Sequence, residues 1–278
     1  MTKKRFKWSN IYLVLVFLLL YAPIFYLILY SFNDGDTMNN FTGFTFDNYR
    51  AVFEDTRLLI IVLNTFLLAF LSALIATVIG TFGAMAIYYT RSRRNRTALM
   101  SFNNILLVSP DVIIGASFLI FFTAVGFISL GFTSVLLSHI AFSIPIVVLM
   151  VLPKLQEMND SMVDAARDLG ASNFQVLKNI VLPYLSPGII AGYFMAFTYS
   201  LDDFAVTFFV TGNGFTTLSV EIYSRARQGI SLEINALSAL VFLFSMILVI
   251  GYYFISQDNT SKRLKKIRRE QSEVAKLS

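Results

Sequence analysis

The stretch DAARDLGASNFQVLKNIVLP, residues 164–183, is a polar, helix-forming segment inside a chain that is otherwise mostly hydrophobic. The chain has 278 residues, of which 56% are hydrophobic and only 14% are charged, and its mean hydropathy is +0.68. A soluble domain of this size carries charge on about a quarter of its residues. The composition therefore predicts an integral membrane protein, with the quoted stretch lying outside the bilayer.

Apolar runs long enough to cross a bilayer lie on both sides of this stretch. About 20 helical residues, at a rise of 1.5 Å each, match the hydrocarbon core. The sequence predicts six spans, at about residues 11–32, 60–89, 103–125, 132–152, 186–210 and 234–256. The motifs Gly80-x-x-Gly83 and Gly188-x-x-x-Gly192 predict close helix packing. We expect an all-α fold, a polytopic membrane helical bundle formed by a single domain over residues 1–278, with the quoted stretch in the loop 153–185.

Lysines and arginines are distributed unequally across this topology. Eighteen lie on the side of the N-terminus, the loop RSRRNR, the loop 153–185 and the tail, and four lie on the other side. Because the richer side is cytoplasmic, both termini and residues 164–183 are expected in the cytoplasm. The first apolar run is too long for a signal peptide, which predicts a retained span. The basic tail is expected to bind anionic lipid headgroups rather than nucleic acid.

The quoted stretch divides into two short helices. Pairs with capping-box spacing, Ser161–Asp164 and Ser172–Gln175, predict the two helix starts. Gly170 stands between them, where a helix C-cap needs a residue that tolerates positive φ. Pro183 predicts the end of the second helix, because the residue before a proline is disfavoured in the α region. By local pattern alone, a helical hairpin on the lipid interface fits equally well.

The residue spacing in this stretch resembles the EAA loop of bacterial ABC importer permeases. That signature is Glu-Ala-Ala, three residues, Gly, nine residues, Ile, one residue and Leu-Pro, and only its first position differs here. The corresponding positions are Asp164, which replaces the Glu of the signature, and the identical residues Ala165, Ala166, Gly170, Ile180, Leu182 and Pro183. The resemblance implies a MetI-like permease fold with a cytoplasmic coupling helix that docks on a separate ATPase subunit. Such helix-in-groove docking uses apolar anchors, of which Phe174 is a candidate.

Motifs for chemistry within this chain are missing from the sequence. No G-x-x-x-x-G-K-[ST] occurs, so ATP and Mg²⁺ are expected on the partner ATPase and no cofactor on this chain. The chain has no cysteine and a single histidine, His139, so we expect no metal site and no catalytic cluster. His139 is expected to be a hydrogen-bonded packing residue rather than a proton relay. The sequence thus predicts a protein that is not an enzyme.

Three acids fall inside predicted spans and indicate a substrate pathway. A carboxylate at bilayer depth costs about 2.5–3.5 kcal/mol, so it normally faces an interior or a watery path. Asp111 follows Ser109-Pro110, where we expect the helix to break, and a first-turn acid there also stabilises the helix dipole. Asp202 and Asp203 are adjacent and diverge by about 100° on a helix, so one is expected to line the pathway. Tyr199 can reach either of them.

A path lined by acids and tyrosines suits a cation. The segment beginning YSLDDFAVTFFVTG, at residue 199, resembles the PotC-type family of spermidine/putrescine permeases, as do Ile222-Tyr223 and the run from Glu233. The resemblance implies polyamine import across the bacterial cell membrane. It also implies a second homologous permease subunit, two ATPase subunits and an extracellular or periplasmic polyamine-binding protein. An ABC permease for another small organic cation or a metal complex is the first alternative. A self-sufficient secondary transporter, which needs inverted repeats, and a membrane-embedded enzyme are the others.

Overall fold

The computed structural model describes residues 8–35, 37–229, 231–247 and 250. These residues are predominantly helical, and an isolated antiparallel bridge joins Asn33 to Phe44. They form two compact units: Arg57–Ser224, and the two ends of the chain up to Thr56 and from Arg225. The all-α fold class is confirmed, and the single domain over residues 1–278 stays a prediction.

Helices follow one another along the described residues, and the connection over residues 31–46 is the long one among them. In chain order they are α1 (Trp8–Tyr30), α2 (Asp47–Glu54), α3 (Thr56–Tyr89), α4 (Arg93–Val108), α5 (Asp111–Val125), α6 (Phe132–Glu157), α7 (Asp160–Asp168), α8 (Asn173–Val176), a π-helical turn (Leu177–Val181), α9 (Leu182–Asp202), α10 (Ala205–Val210), α11 (Leu218–Gln228) and α12 (Leu232–Ile247). The predicted break at Ser109-Pro110 is confirmed, because α4 and α5 meet there at a bend of 106°.

Four helical segments are long and apolar enough to cross a membrane: Ile11–Tyr30, α3, α6 and the continuous segment Asn173–Asp202. The bent pair α4–α5 makes a fifth if it is counted as one span. The span predicted at 186–210 differs from the structure, since its helix ends at Asp202 and restarts at Ala205. The span predicted at 234–256 begins within α12, and its end lies outside the described residues. Several apolar spans are therefore present, while the count of six stays a prediction.

The unit Arg57–Ser224 is held together where small residues let α3 and α9 approach α6. Val147 of α6 lies between Gly80 of α3 and Gly192 of α9. A Cβ atom built on Gly80 would lie 2.7 Å from the Val147 Cβ and 3.0 Å from the Ile144 carbonyl oxygen. A Cβ on Gly192 would lie 3.2 Å from the Val147 Cγ1. Glycine at these positions therefore sets the helix separation, as small residues do in membrane bundles.

Gly80→Ala is expected to destabilise the chain by about 1–3 kcal/mol, the usual cost of overpacking a tight interface. Gly83→Ala is the matched control on the same helix, because its Cβ would meet Val148 Cγ2 at an ordinary 3.6 Å. We expect the control to be neutral or slightly stabilising, since alanine favours helix. Thermal unfolding of the purified chain in detergent measures both. Equal midpoints for the two variants would contradict the close approach at Gly80.

Local hydrogen bonds organise the unit formed by the two chain ends. The Asn33 side chain donates from Nδ2 to the Asn40 carbonyl at 3.0 Å and accepts the Thr42 backbone N–H at 2.8 Å. These bonds fold the connection after α1 back on itself. In the same unit, an Arg225 guanidinium nitrogen lies 3.0 Å from Asp55 Oδ2. This contact ties the N-terminal and C-terminal parts of that unit together.

Candidate functional site

The adjacent acids Asp202 and Asp203 lie where α9 ends and α10 has not yet begun. Asp203 has extended backbone angles (φ −62°, ψ 124°), which end the helix. Asp202 is exposed on the surface of this chain, whereas Asp203 is only 9% exposed. The two side chains thus have different surroundings, although Asp203 does not continue the helix on which the sequence analysis placed both acids. Their roles in transport stay a prediction.

The Asp203 carboxylate binds the start of α10. Oδ1 accepts the backbone N–H of Val206 at 3.3 Å, and Oδ2 accepts the backbone N–H of Thr207 at 2.8 Å. Oδ2 also accepts the Thr207 hydroxyl at 2.7 Å. The first N–H groups of a helix have no partner within it, so a carboxylate there satisfies them and stabilises the positive end of the helix dipole. Asp203 therefore stabilises the start of α10 directly after the break.

His139 of α6 is fully buried and bridges the two sides of the break. Its Nδ1 lies 2.6 Å from Ser200 Oγ on α9, and its Nε2 lies 2.8 Å from Thr207 Oγ1 on α10. The Asp203 Oδ2 is 3.4 Å from the same Nε2. The prediction of a hydrogen-bonded packing histidine is thus confirmed.

The partners of His139 were not identified from the sequence. Ser200 Oγ lies 2.9 Å from Ser72 Oγ, which extends the connection to α3. The sequence does offer a link between Thr207 and Asp203. Thr207 follows Asp203 by four residues, a spacing at which two side chains can meet. No sequence pattern could indicate Ser72, since it is distant in the chain and joins the group only through tertiary packing.

Tyr199 and Asp111 meet on the side of α9 that precedes the break. The Tyr199 hydroxyl donates to Asp111 Oδ1 at 2.9 Å, so its hydrogen is not directed to Asp202 or Asp203 as the sequence suggested. Its ring packs edge-on against Phe142, with centroids 5.1 Å apart. Asp111 is the first residue of α5, as predicted. Tyr199 thus couples α9 to the start of α5.

Two aromatic residues, Phe204 and Phe208, follow the exposed Asp202 closely in the chain, and Tyr223 packs against both. Phe204 packs on Tyr223 with centroids 4.4 Å apart and on Phe208 at 5.4 Å. Phe208 and Tyr223 are 48% and 40% exposed. Ring faces attract cations, most strongly where water is excluded. With the exposed carboxylates of Asp111 and Asp202, this part of the chain offers groups that favour cations and disfavour anions.

The segment between α6 and α9 contains the residues predicted to couple to an ATPase. Gly170 has φ +82°, so the predicted C-cap is confirmed. The N–H of Gly170 donates to the Arg167 carbonyl at 2.8 Å, and that of Ala171 to the Ala166 carbonyl at 3.0 Å. This pair of bonds is the Schellman motif, which ends a helix in the left-handed conformation. The Ser172–Gln175 capping box at the start of α8 is also confirmed.

Two local predictions in this segment are wrong. The helix α7 begins at Asp160 with Asn159 as its cap, whose side chain accepts the Ser161 backbone N–H at 3.0 Å, so Ser161 is not the cap. Pro183 does not end the second helix, which continues through the π-helical turn into α9. A proline ring clashes with the carbonyl four residues earlier in a regular α-helix. The wider turn just before Pro183 relieves that clash, because the Leu182 N–H bonds to the Leu177 carbonyl.

The coupling segment has one buried and one exposed apolar side. Its buried side joins the core of α3, α6 and α9 through Val163, Val176 and Val181. On the exposed side, Leu169 is 89% and Phe174 is 70% accessible. The remaining candidate coupling residues divide between exposed positions (Asp164, Ala165, Pro183) and half-buried ones (Ala166, Ile180, Leu182). The segment is therefore anchored to the bundle while it presents large apolar side chains outward.

Metal ligands are not grouped in the part of the chain that the structure describes. Among those residues, no set of three or more His, Cys, Asp and Glu side chains has a geometry that could hold a metal ion.

Proteins of similar sequence match most of the chain. Residues 76–266 match the family described as "Binding-protein-dependent transport system inner membrane component". The spermidine/putrescine transport system permease protein PotC of Escherichia coli K12 is 37% identical over 249 residues, which cover 90% of this chain and 94% of PotC. The putrescine transport system permease protein PotI of the same strain is 32% identical over 272 residues, covering 95% and 96% of the two chains.

A solved structure supports the fold. A chain of a bacterial ABC transporter involved in the import of the acidic polysaccharide alginate superposes with a TM-score of 0.69 at 18% identity, covering 88% of this chain and 92% of that one. The chain belongs to the family of binding-protein-dependent inner membrane components, with the MetI-like fold of ABC importer permeases. It is accordingly a membrane permease subunit and not an enzyme.

Proposed function

We propose that this chain is a permease subunit of an ATP-driven ABC importer that moves polyamines such as spermidine and putrescine into the cell. The observation that carries the proposal is the 37% identity to a spermidine/putrescine permease over 90% of the chain. The 32% identity to a putrescine permease supports the same cargo class.

The exposed groups near the α9–α10 break support a cationic cargo. Polyamines carry protonated amines joined by methylene groups, so they can use both carboxylates and ring faces. Asp202 supplies an exposed carboxylate, and Asp111, exposed beside the Tyr199 hydroxyl, supplies a second. A charge pair at about 4 Å contributes about 4 kcal/mol at an effective dielectric of 20, before desolvation. A neutral sugar would gain none of this attraction.

The coupling segment is the proposed contact with the ATPase. Leu169 and Phe174 supply exposed apolar anchors, and Asp164 and Arg167 supply charge at the polar end. Docking of such a helix into a groove uses apolar anchors for affinity and polar ends for orientation. Because Val163 and Val176 fix the segment to the bundle, motion of a docked ATPase would be transmitted to α6 and α9.

The complete importer would contain chains other than this one. We expect a second homologous permease subunit, two ATPase subunits that bind ATP and Mg²⁺, and an extracellular or periplasmic polyamine-binding protein. Both termini and the coupling segment are assigned to the cytoplasm, as the excess of lysine and arginine on their side indicates. Reactivity of single cysteines placed near each end, probed with membrane-impermeant reagents, tests this orientation.

Uptake competition tests the cargo. In cells that lack their own polyamine uptake and express the chain with its partners, labelled spermidine should accumulate, and unlabelled spermidine or putrescine should suppress it. An ATPase-inactive partner is the control and should abolish uptake, whereas persistent uptake would indicate a self-sufficient transporter. Uptake of another organic cation or a metal complex, with no competition by polyamines, would indicate a permease of the same class with a different cargo.

A further inference from the structure

A buried polar cluster includes Asp203, the residue that follows the exposed Asp202 in the chain. We define it as five side chains from four helices and the break, each no more than 9% exposed: Ser72, His139, Ser200, Asp203 and Thr207. Polar groups inside a membrane bundle are costly unless they are paired. Every member of this cluster is hydrogen-bonded to another member. Because these side chains are covered by the chain itself, a passing cargo would not contact them.

The cluster connects the two helices on either side of the break. Ser200 lies before the break and Thr207 after it, and both contact the imidazole of His139. Ser72 of α3 is a second hydrogen-bond partner of Ser200. The angle between α9 and α10 is therefore defined by hydrogen bonds to α6 and α3 rather than by a continuous helical backbone.

The hydrogens of the cluster can be assigned by counting. A threonine hydroxyl has one hydrogen, and that of Thr207 is donated to Asp203 Oδ2 at 2.7 Å. Its oxygen must therefore accept toward His139, so Nε2 of the imidazole carries a hydrogen and donates at 2.8 Å. Removal of the Thr207 hydroxyl would break both of these bonds at once. Asp203 Oδ2 would keep the Thr207 backbone N–H at 2.8 Å, and His139 Nε2 would keep only the longer contact of 3.4 Å to that carboxylate oxygen.

We propose that the buried polar cluster is a positioning device that fixes the angle of the α9–α10 break and, through it, the place of the Asp202 carboxylate. Thr207 and His139 act through Asp203 and the backbone and do not bind the cargo. The value of this placement for transport rests on the proposed function. The placement itself does not depend on that function and can be measured without transport.

The absence of cysteine from the chain gives a direct measurement of position 202. The variant Asp202→Cys, in the assembled importer, is labelled with a membrane-impermeant thiol reagent, and the rate on this chain is read by mass. Thr207→Val is then added, because valine keeps the shape of threonine and removes the hydroxyl. Thr207→Ser keeps the hydroxyl and is the conservative variant. Thr77→Val is the matched control, since the buried Thr77 hydroxyl donates within its own helix, to the Ala73 carbonyl.

Thr207→Val should change the labelling rate about fivefold or more, as expected for the loss of one or two net hydrogen bonds. Thr207→Ser and Thr77→Val should leave the rate at that of the parent. Ser200→Ala, measured in parallel, removes the connection on the other side of the break and should shift the rate in the same way. If neither Thr207→Val nor Ser200→Ala changes the rate, the positioning proposal is wrong.

Uptake measured with Asp202 intact separates this proposal from the proposed function. If spermidine uptake falls in Thr207→Val but not in Thr207→Ser, the result supports both the positioning device and the proposed function. A changed labelling rate with uptake unchanged supports the positioning device and contradicts the role of Asp202 in the pathway.

Discussion

Gly170→Val is expected to abolish coupling while the permease still inserts and pairs. Gly170 has φ +82°, a conformation that costs a non-glycine residue about 1–2 kcal/mol and a β-branched one more. Valine should therefore open the Schellman motif and change the direction in which Leu169 and Phe174 point. We expect uptake to fall by about tenfold or more, with the ATPase subunits lost during purification of the complex. Uptake and subunit content per inserted permease measure the two effects.

Backbone strain and steric clash can be separated at this glycine. Apart from its chain neighbours, no atom of the described residues lies within 4 Å of a Cβ built on Gly170, so a side chain there meets open space. Gly170→Asn should retain much of the uptake, because asparagine tolerates the left-handed region. Gly126→Val is the matched control, since Gly126 ends α5 with φ +75° and equally open space but lies outside the coupling segment. Wild-type uptake by Gly170→Val would remove the coupling role from this segment.

Local backbone chemistry explains why parts of the coupling segment could be predicted from the sequence. A glycine between two polar helices, and a Ser-x-x-Gln before the second, specify conformations that depend only on near neighbours. Gly170 and the Ser172–Gln175 box accordingly have the predicted geometry. The break before Asp111 follows from the same kind of reasoning, because proline restricts the residue before it.

The wrong predictions involve choices that local pattern leaves open. Asn159 and Ser161 are both good helix caps, and the buried position of Val163 is compatible with a start at Asp160. Pro183 can end a helix or follow a wide turn. Here Val181 and Leu185 on either side of it are both buried, so packing favours the continuous helix.

The acid pair shows the same limit at the candidate site. On a continuous helix Asp202 and Asp203 would diverge, but that geometry does not say which of them faces inward, and Asp203 lies outside α9. That choice depends on His139 and Thr207, whose contacts are made only in the folded bundle. The sequence therefore identifies the acid pair as a candidate, and tertiary structure distinguishes its two carboxylates.

Asp203→Asn is expected to lower the stability of the folded chain, and to lower uptake only as a consequence. The carboxylate accepts two backbone N–H groups and a hydroxyl, whereas an amide would direct its own N–H₂ toward one of these donors. An unsatisfied buried group costs about 1–3 kcal/mol, so the unfolding temperature in detergent should fall. Uptake should fall with it, in proportion to the loss of assembled complex.

Asp202→Asn, in contrast to Asp203→Asn, is expected to lose transport without losing stability. Asp202 is exposed, and asparagine has nearly the same size, so folding and assembly should match wild type. If its charge attracts a protonated amine with about 4 kcal/mol before desolvation, uptake per inserted protein should fall by at least about tenfold. Asp202→Glu, which keeps the charge, should recover part of that uptake. Wild-type transport by Asp202→Asn would leave the cationic cargo supported by family resemblance alone, because no other change at the break removes charge without disturbing the buried polar cluster.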